Sequence, residues 1–116
     1  MEKNMHLNIK NKTFNIVLEK SETTSALIKC LPLRITMLEL NGNEKYYYLD
    51  NALPSNSKYV GEINVGDVML YGNNCLVVFY ESFSTNYSYT KIGHIGNTKG
   101  LKGALGKGSV EVLWEE

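Results

Sequence analysis

The sequence predicts a mainly β fold in which about eight short strands form a closed barrel that two short helices cap. Apolar and polar residues alternate in several short stretches, and glycine, asparagine and proline residues separate these stretches. The chain has 116 residues, 43% of them hydrophobic, which suits one domain over residues 1–116 with a single core. A sandwich of two sheets is the alternative. We favour the barrel because a closed sheet leaves no exposed edge.

The first two predicted strands form a hairpin. Apolar side chains occupy alternate positions in residues 5–9 and again in residues 14–18, as expected for strands with one buried face. Asn11-Lys12 lies between the two stretches, and asparagine tolerates the positive φ that two-residue hairpin turns require. We therefore expect the turn at this dipeptide.

A short helix and a third strand follow the hairpin. Ser21 is suited to cap the helix, and Glu22 places a negative charge in its first turn. Pro32 ends the helix because the residue before a proline is disfavoured in the helical region. Residues 33–38 predict a strand that breaks near Thr36. A helical turn at that point is the alternative, since a Thr and a Glu three residues later fit a capping box.

The next strand, Glu44 to Leu49, carries three consecutive tyrosines. Successive side chains of a strand point to opposite faces, so Tyr46 and Tyr48 share one face and Tyr47 lies on the other. The connection from Asp50 to Val65 shows no clear period, and a long connection in a small domain is often a binding loop.

The second half of the chain predicts three more strands, a weak helix and a closing strand. One strand, Cys75 to Tyr80, is apolar on both faces, which is typical of a central position. Glycines weaken the predicted helix, and the closing strand alternates again. The other predicted elements are the strands Asp67 to Tyr71 and Ser88 to Ile95, the helix Thr98 to Leu105 and the closing strand Gly108 to Trp114.

Charge and composition argue against several classes of partner. Twelve basic residues balance twelve acidic residues, so no excess positive charge is present to hold nucleic acid or an anionic membrane surface. No apolar run reaches the roughly 20 residues that span a bilayer, and the start of the chain does not resemble a signal peptide. We therefore expect a cytoplasmic protein with no nucleic-acid or membrane partner.

The residues that usually bind metals are scattered. His6 and His94 are far apart in sequence, without acidic neighbours at metal-ligand spacing. Cys30 and Cys75 lie in different predicted elements, and we expect both to be buried free thiols. The sequence therefore predicts no metal and no cofactor.

Several multi-residue motifs together indicate a family resemblance: LPL at residues 31–33, LNGNEKYYYL at 40–49, GDVMLYG at 66–72, CLVVFYESF at 75–83, YSYTKIG at 87–93 and KIGHI at 91–95. They resemble the cyclophilins, and more closely the short bacterial proteins described as cyclophilin-like, whose function is mostly unassigned. The resemblance extends over nearly the whole chain. It implies an eight-stranded cyclophilin-like barrel capped by two helices.

The resemblance to cyclophilins implies peptidyl-prolyl isomerase activity, but only some of the residues that cyclophilins use for it have counterparts here. Cyclophilins place an arginine, within an F-H-R sequence followed by Q-G-G, against the proline amide, and they line the pocket with aromatic residues. Arg34 is the only arginine here, and neither companion motif follows it. The positions that roughly match the aromatic pocket are Val78, Phe83 and Tyr89. Lys45 supplies a positive charge, but its ammonium group lacks the planar, forked set of N–H donors that an arginine guanidinium has.

We therefore expect a barrel that binds a small molecule or short peptide in an aromatic pocket. A prolyl isomerase with substitute residues, for which Arg34 is the weak catalytic candidate, is the alternative. A third hypothesis is a protein-interaction module that uses residues 50–65. The sequence does not predict the oligomeric state. The residues expected to line the pocket are Tyr46, Tyr48, Met69, Tyr71, Val78, Phe83, Tyr87 and Tyr89.

Overall fold

Eight strands close into an antiparallel barrel in the computed structural model, which describes residues 4–116. The mainly β class and the two short helices are therefore confirmed. The helices are α1 (Glu22–Ile28) and α2 (Leu101–Leu105). The strands are β1 (Met5–Ile9), β2 (Lys12–Leu18), β3 (Leu33–Leu40), β4 (Glu44–Tyr48), β5 (Lys58–Tyr59), β6 (Glu62–Ile63), β7 (Asp67–Tyr71), β8 (Cys75–Phe79), β9 (Phe83–Ser84), β10 (Ser88–Ile95) and β11 (Val110–Glu115).

The barrel closes where β10 meets β2. The strands follow the order β2-β1-β11-β3-β4-β8-β7-β10, and β10 also pairs with β2 to complete the ring. Gly93 lies at this seam, and a Cβ at this position would overlap the carbonyl oxygen of Val17. A glycine is needed here because only a residue without a Cβ lets the two backbones approach so closely.

Two local expectations are wrong. The β1–β2 turn consists of Lys10 and Asn11, with φ of 49° and 68°, so Lys12 already belongs to β2. The strand β3 runs without a break through Thr36, and no helical turn forms there. The reason is continuous pairing: β11 pairs with β3 as far as Met37, and β4 pairs with it from Leu38 onwards.

The two helices close opposite ends of the barrel. The helix α1 connects β2 to β3, and its cap is as predicted: the backbone N–H of Thr24 donates to Ser21 Oγ at 3.1 Å. The helix α2 is shorter than expected and lies between the end of β10 and the start of β11. Leu27 of α1 and Leu101 of α2 both join the core inside the barrel. Neither helix has the length and apolar character needed to cross a membrane.

The strand β8 contributes to two separate apolar clusters. Leu76 and Val78 face the barrel interior and belong to the inner core. Cys75, Val77 and Phe79 face outwards and belong to a second cluster. The short strands β6 and β9 pair with each other and cover part of this outer cluster, which explains why β8 is apolar on both faces.

A buried lysine closes the inner core at the α2 end. Lys45 is fully buried, and its Nζ donates to Glu39 Oε1 at 3.0 Å and to the carbonyl oxygens of Gly106 and Gly108 at 2.8 and 2.5 Å. Tyr80 donates its hydroxyl to the same Glu39 oxygen at 2.7 Å. Burial by itself raises the pKa of Glu39, but the hydrogen bonds from Tyr80 and Lys45 outweigh it and lower the pKa.

Candidate functional site

Five tyrosines stand together on the outside of the barrel, and we call this surface the tyrosine face. Tyr46 and Tyr48 come from β4, Tyr71 ends β7, Tyr89 lies on β10 and Tyr87 precedes β10. The rings of Tyr46 and Tyr48 meet edge to face, with centroids 5.8 Å apart. The ring of Tyr71 lies 5.8 Å from that of Tyr87 and 5.5 Å from that of Tyr89. These are the usual distances and tilts of favourable aromatic pairs.

The strand register places a small residue between the two groups of rings. Cys75 of β8 lies directly opposite Tyr48 on one side and Tyr71 on the other. Cys75 is only 5% exposed, and its thiol lies within hydrogen-bonding reach of the Tyr48 side chain. Burial raises the pKa of this thiol to about 11, and the charge of Glu44 adds to the rise.

Much of the tyrosine face is in contact with water. The exposed fractions of Tyr48, Tyr71 and Tyr87 are 60%, 44% and 61%. Leu38 and Leu40 on β3 are also exposed, and Leu38 lies directly opposite Tyr46. Exposed apolar side chains therefore lie on β3, β4 and β7 and just before β10, whereas the outward-facing residues of β8 between them are buried.

One part of the predicted pocket is filled by protein. Phe83 of β9 packs against Phe79 with ring centroids 5.7 Å apart, and Tyr89 meets Phe79 at 5.6 Å. Ile63 of β6 and Met69 of β7 are buried in the same outer cluster. The tyrosine face is therefore an open, shallow surface beside a packed cluster, whereas the sequence predicted an aromatic hollow.

A cleft adjoins the tyrosine face at Tyr89. Its volume is about 540 Å³, and it lies between the start of α1, the chain around Pro54 and the first half of β10. Lys58 and Lys91 line it together with Ser21. Two further cavities, of about 410 and about 1040 Å³, contain no residue of the tyrosine face.

Two of the residues singled out from the sequence lie away from the tyrosine face. Val78 points into the barrel, because it alternates with the outward-facing Val77 and Phe79. Arg34 lies near the start of β3, where its guanidinium donates to Glu111 Oε1 at 2.6 Å. Both members of this ion pair are exposed. The remaining residues lie on the outer side of the barrel, although Met69 and Phe83 belong to its packed part.

Glu44 is a residue of this surface that the sequence analysis did not select. It occupies the same face of β4 as Tyr46 and Tyr48, yet it is only 8% exposed. Within residues 4–116 its carboxyl group has neither a hydrogen-bond partner nor an ion-pair partner. Burial, with the nearby charge of Glu39, raises its pKa to about 7. Glu44 lies two and four residues before Tyr46 and Tyr48 on the same predicted strand, so the alternation of side chains already places it on their face.

The charge of Glu44 reaches the tyrosine face. Burial raises the pKa of Tyr89 to about 12, and the Glu44 carboxylate contributes to this rise as it does for Cys75. Like-charge repulsion of this kind requires the groups to lie within electrostatic reach of one another. Glu44 also lies on the same face of β4 as Tyr46, two residues away.

The groups that commonly bind metals are separated. Among residues 4–116, no three His, Cys, Asp or Glu side chains lie close enough to hold an ion. His6 Nε2 lies 3.2 Å from Glu115 Oε1, whereas His94 lies opposite Val17 at the barrel seam. Cys75 is buried, but Cys30 is exposed near the end of α1, so the expectation that both thiols are buried is wrong.

Comparison with known proteins identifies the family. No curated protein matches the chain. The solution structure of a hypothetical protein from Archaeoglobus fulgidus is similar, with a TM-score of 0.60 and 17% sequence identity over 97% of this chain and 92% of that chain. This likeness supports the fold. A model of the cyclophilin-like family matches residues 7–115, and the chain therefore belongs to the cyclophilin-like family.

Proposed function

We propose that this protein binds a small molecule or a short peptide on the tyrosine face. One observation carries the proposal: Tyr71 and Tyr87 are in ring contact, Tyr48 lies on the other side of Cys75 from Tyr71, and all three are 44% to 61% exposed. Large apolar surfaces that adjoin one another are uncommon on a protein without an interaction site.

Tyrosine is well suited to such a surface. Its ring buries a large apolar area with few rotatable bonds, and its hydroxyl still forms hydrogen bonds. The edge-to-face pairs of Tyr46 with Tyr48 and of Tyr71 with Tyr87 hold the rings in defined orientations. A ligand therefore meets a surface that is largely preorganised, which lowers the entropy cost of binding.

The adjoining cleft extends the surface for longer ligands. Tyr89 belongs both to the tyrosine face and to the cleft of about 540 Å³. A ligand on the rings can continue past Tyr89 towards Lys58 and Lys91. Aromatic contacts would then supply most of the affinity, and the polar groups of the cleft would orient the ligand.

We propose binding without prolyl isomerisation. Isomerisation by the cyclophilin mechanism needs a strong hydrogen-bond donor aimed at the proline amide. Arg34 is paired with Glu111 on β11 instead. The ammonium group of Lys45 points into the barrel and is held by Glu39 and two backbone carbonyl groups. Neither cation is available at the rings.

Nuclear magnetic resonance provides the direct test. The isotope-labelled protein is titrated with a fragment set and with short proline-containing peptides, and the backbone amide signals are followed. We expect shifts at residues 46–48, 71 and 87–89, and we expect Tyr71→Ala to abolish them. Val17→Ala is the matched control, because Val17 is also exposed but lies on β2 at the barrel seam.

Two results would count against the proposal. Shifts confined to other surfaces, or the absence of shifts with every compound, would contradict binding at the tyrosine face. A coupled assay with a short proline peptide tests the alternative function, prolyl isomerisation. We expect the peptide to isomerise at its uncatalysed rate in the presence of the protein. Acceleration that Tyr89→Ala or Arg34→Ala abolishes would show that the protein is an isomerase.

A further inference from the structure

We propose that the α2 end of the barrel binds an acidic segment of a partner protein. Five exposed lysines lie on or beside α2, and we call this surface the lysine face. Its members are Lys10, Lys12, Lys99, Lys102 and Lys107. The lysine face shares no residue with the tyrosine face, so binding at one surface is independent of binding at the other.

The β1–β2 hairpin brings two of these lysines to α2. Lys12 is the first residue of β2 and shares the inward face of this strand with the buried Phe14, because side chains two residues apart on a strand point to the same side. A Cβ at Gly100 would lie 3.1 Å from the Nζ of Lys12, and a Cβ at Gly106 would lie 3.4 Å from the Nζ of Lys10. Since these two glycines flank α2, one ammonium group lies beside each end of the helix.

The chain around α2 adds the other three lysines. Lys99 immediately precedes the first of the two flanking glycines, and Lys107 immediately follows the second. Each end of α2 therefore has one lysine from the hairpin and one lysine from the α2 segment itself. Lys102 lies on α2 between the two pairs. Although positive and negative charges balance over the whole chain, lysines are concentrated at this end of the barrel.

Two carboxylates at this end of the barrel are already engaged. Glu81 pairs with Lys102, with Oε1 and Nζ 2.6 Å apart. Glu39 accepts from the buried Lys45, which also donates to the carbonyl oxygen of Gly106. Within residues 4–116, the other four members of the lysine face form no ion pair. These four charges repel one another, and a bound polyanion would relieve that repulsion.

The length of the lysine face favours an extended partner over a small anion. Gly100 and Gly106 are the two caps of α2, and at a rise of about 1.5 Å per residue they lie about 9 Å apart. A single carboxylate or an inorganic phosphate contacts the lysines at one end only. A chain that carries several negative charges contacts both ends at once, and the second contact then forms at a high effective concentration.

The chemistry of the lysine face favours a polypeptide over a nucleic acid or a membrane. All five cations are lysines, without the forked donors by which arginine matches phosphate. The exposed aromatic rings within residues 4–116 lie on β4, β5 and β7 and just before β10, so bases find no ring to stack on at α2. The apolar side chains of α2 are buried and therefore cannot insert into a bilayer. Aspartate and glutamate side chains need only the lysines.

Nuclear magnetic resonance of the full, isotope-labelled chain tests this proposal. The protein is titrated with octaglutamate and with an uncharged glycine–serine octapeptide. We expect octaglutamate to shift the backbone amide signals of residues 10–12 and 97–108, and the uncharged peptide to shift none of them. The affinity for octaglutamate should fall at least about tenfold when NaCl is raised from about 50 to about 300 mM, because salt screens exposed charges.

Two double variants locate the surface. Lys10→Gln with Lys12→Gln removes the two hairpin charges and leaves α2 unchanged, and we expect it to lower the affinity for octaglutamate at least about fivefold. Lys20→Gln with Lys29→Gln is the matched control, because it removes two exposed lysines beside α1 at the opposite end of the barrel. The control should retain the parent affinity. All four side chains are exposed, so both variants should fold as the parent does.

Three results would overturn the proposal. Octaglutamate that causes no shifts in the lysine face would exclude this surface, as would equal affinities of the two double variants. Tighter binding of octathymidylate than of octaglutamate at the same salt concentration would assign the surface to a nucleic acid instead. Tighter binding of vesicles that contain phosphatidylserine would assign it to a membrane. None of these results bears on ligand binding at the tyrosine face, which the fragment titration measures separately.

Discussion

The two faces of β8 are both buried, but they differ in what surrounds them. Leu76 and Val78 face a core that includes Trp114 and residues from both helices, and both side chains are fully shielded from water. Cys75 and Phe79 face a cluster that β6 and β9 cover only in part, and exposed tyrosine rings border it. The comparison teaches that the inner face lies within a closed core, while the outer face lies next to apolar rings that are exposed to water.

The largest expected effect tests the inner face. Leu76→Ala should lower the free energy of unfolding by about 3 kcal/mol, since it removes a fully buried side chain and leaves a cavity in a core that cannot collapse easily. Urea denaturation followed by circular dichroism measures this value. A loss below about 1 kcal/mol would mean that the inner core is loosely packed.

A smaller effect, of opposite sign, is expected at Glu44. Its pKa in the folded protein is about 7, above the ordinary value of 4.5. Its contribution to stability is therefore fully present below pH 4.5 and is lost as the pH rises through 7. Glu44→Gln should stabilise the protein by about 2 kcal/mol at pH 8 and leave it unchanged at pH 4. Denaturation curves at both pH values that show no difference would refute the raised pKa.

Glu39 provides the contrast to Glu44. Its pKa is lowered, so its contribution to stability is present above the ordinary value of 4.5 and is lost as the pH falls through the lowered pKa. Tyr80→Phe removes one of its hydrogen bonds and should cost about 1 kcal/mol at pH 7. The cost should shrink in acid, when the carboxylate is protonated. Thermal unfolding at pH 7 and pH 3 measures it, and an equal cost at both values would contradict this explanation.

The smallest expected effect belongs to the tyrosine face. Tyr48→Ala should change the free energy of unfolding by no more than about 0.5 kcal/mol, because the side chain is mostly in water. The same variant should lose ligand binding. A destabilisation of about 2 kcal/mol or more in urea would instead give this ring a structural role.

Much of the barrel was predictable because its strands alternate clearly. Where this alternation was weak, the prediction of strands failed. The two-residue strands β5, β6 and β9 are too short to show any alternation. At Thr36 a local capping pattern favoured a break, but pairing with β11 and β4 keeps the strand extended. Tertiary pairing in this case overrides a local preference.

The orientation of the candidate-site residues was likewise predictable only where apolar and polar side chains alternate along a strand. The faces of Tyr46, Tyr47 and Tyr48 follow from alternation alone. Val78 could not be oriented in this way, because a strand that is apolar on both sides has no distinguishable face. Burial of Glu44 depends on side chains from other strands, which no single stretch of sequence reveals.

The buried lysine also determines which side chains of β4 the solvent meets. Lys45 alternates with Glu44 and Tyr46, and its ammonium group finds its acceptors only inside the barrel. A slip of β4 by one residue would send this charge outwards and turn Tyr46 and Tyr48 inwards. Such a slip would remove the lysine donor from Glu39 and from two backbone carbonyl groups. Lys45 thus fixes the register of β4 and keeps Tyr46 and Tyr48 on the outer surface.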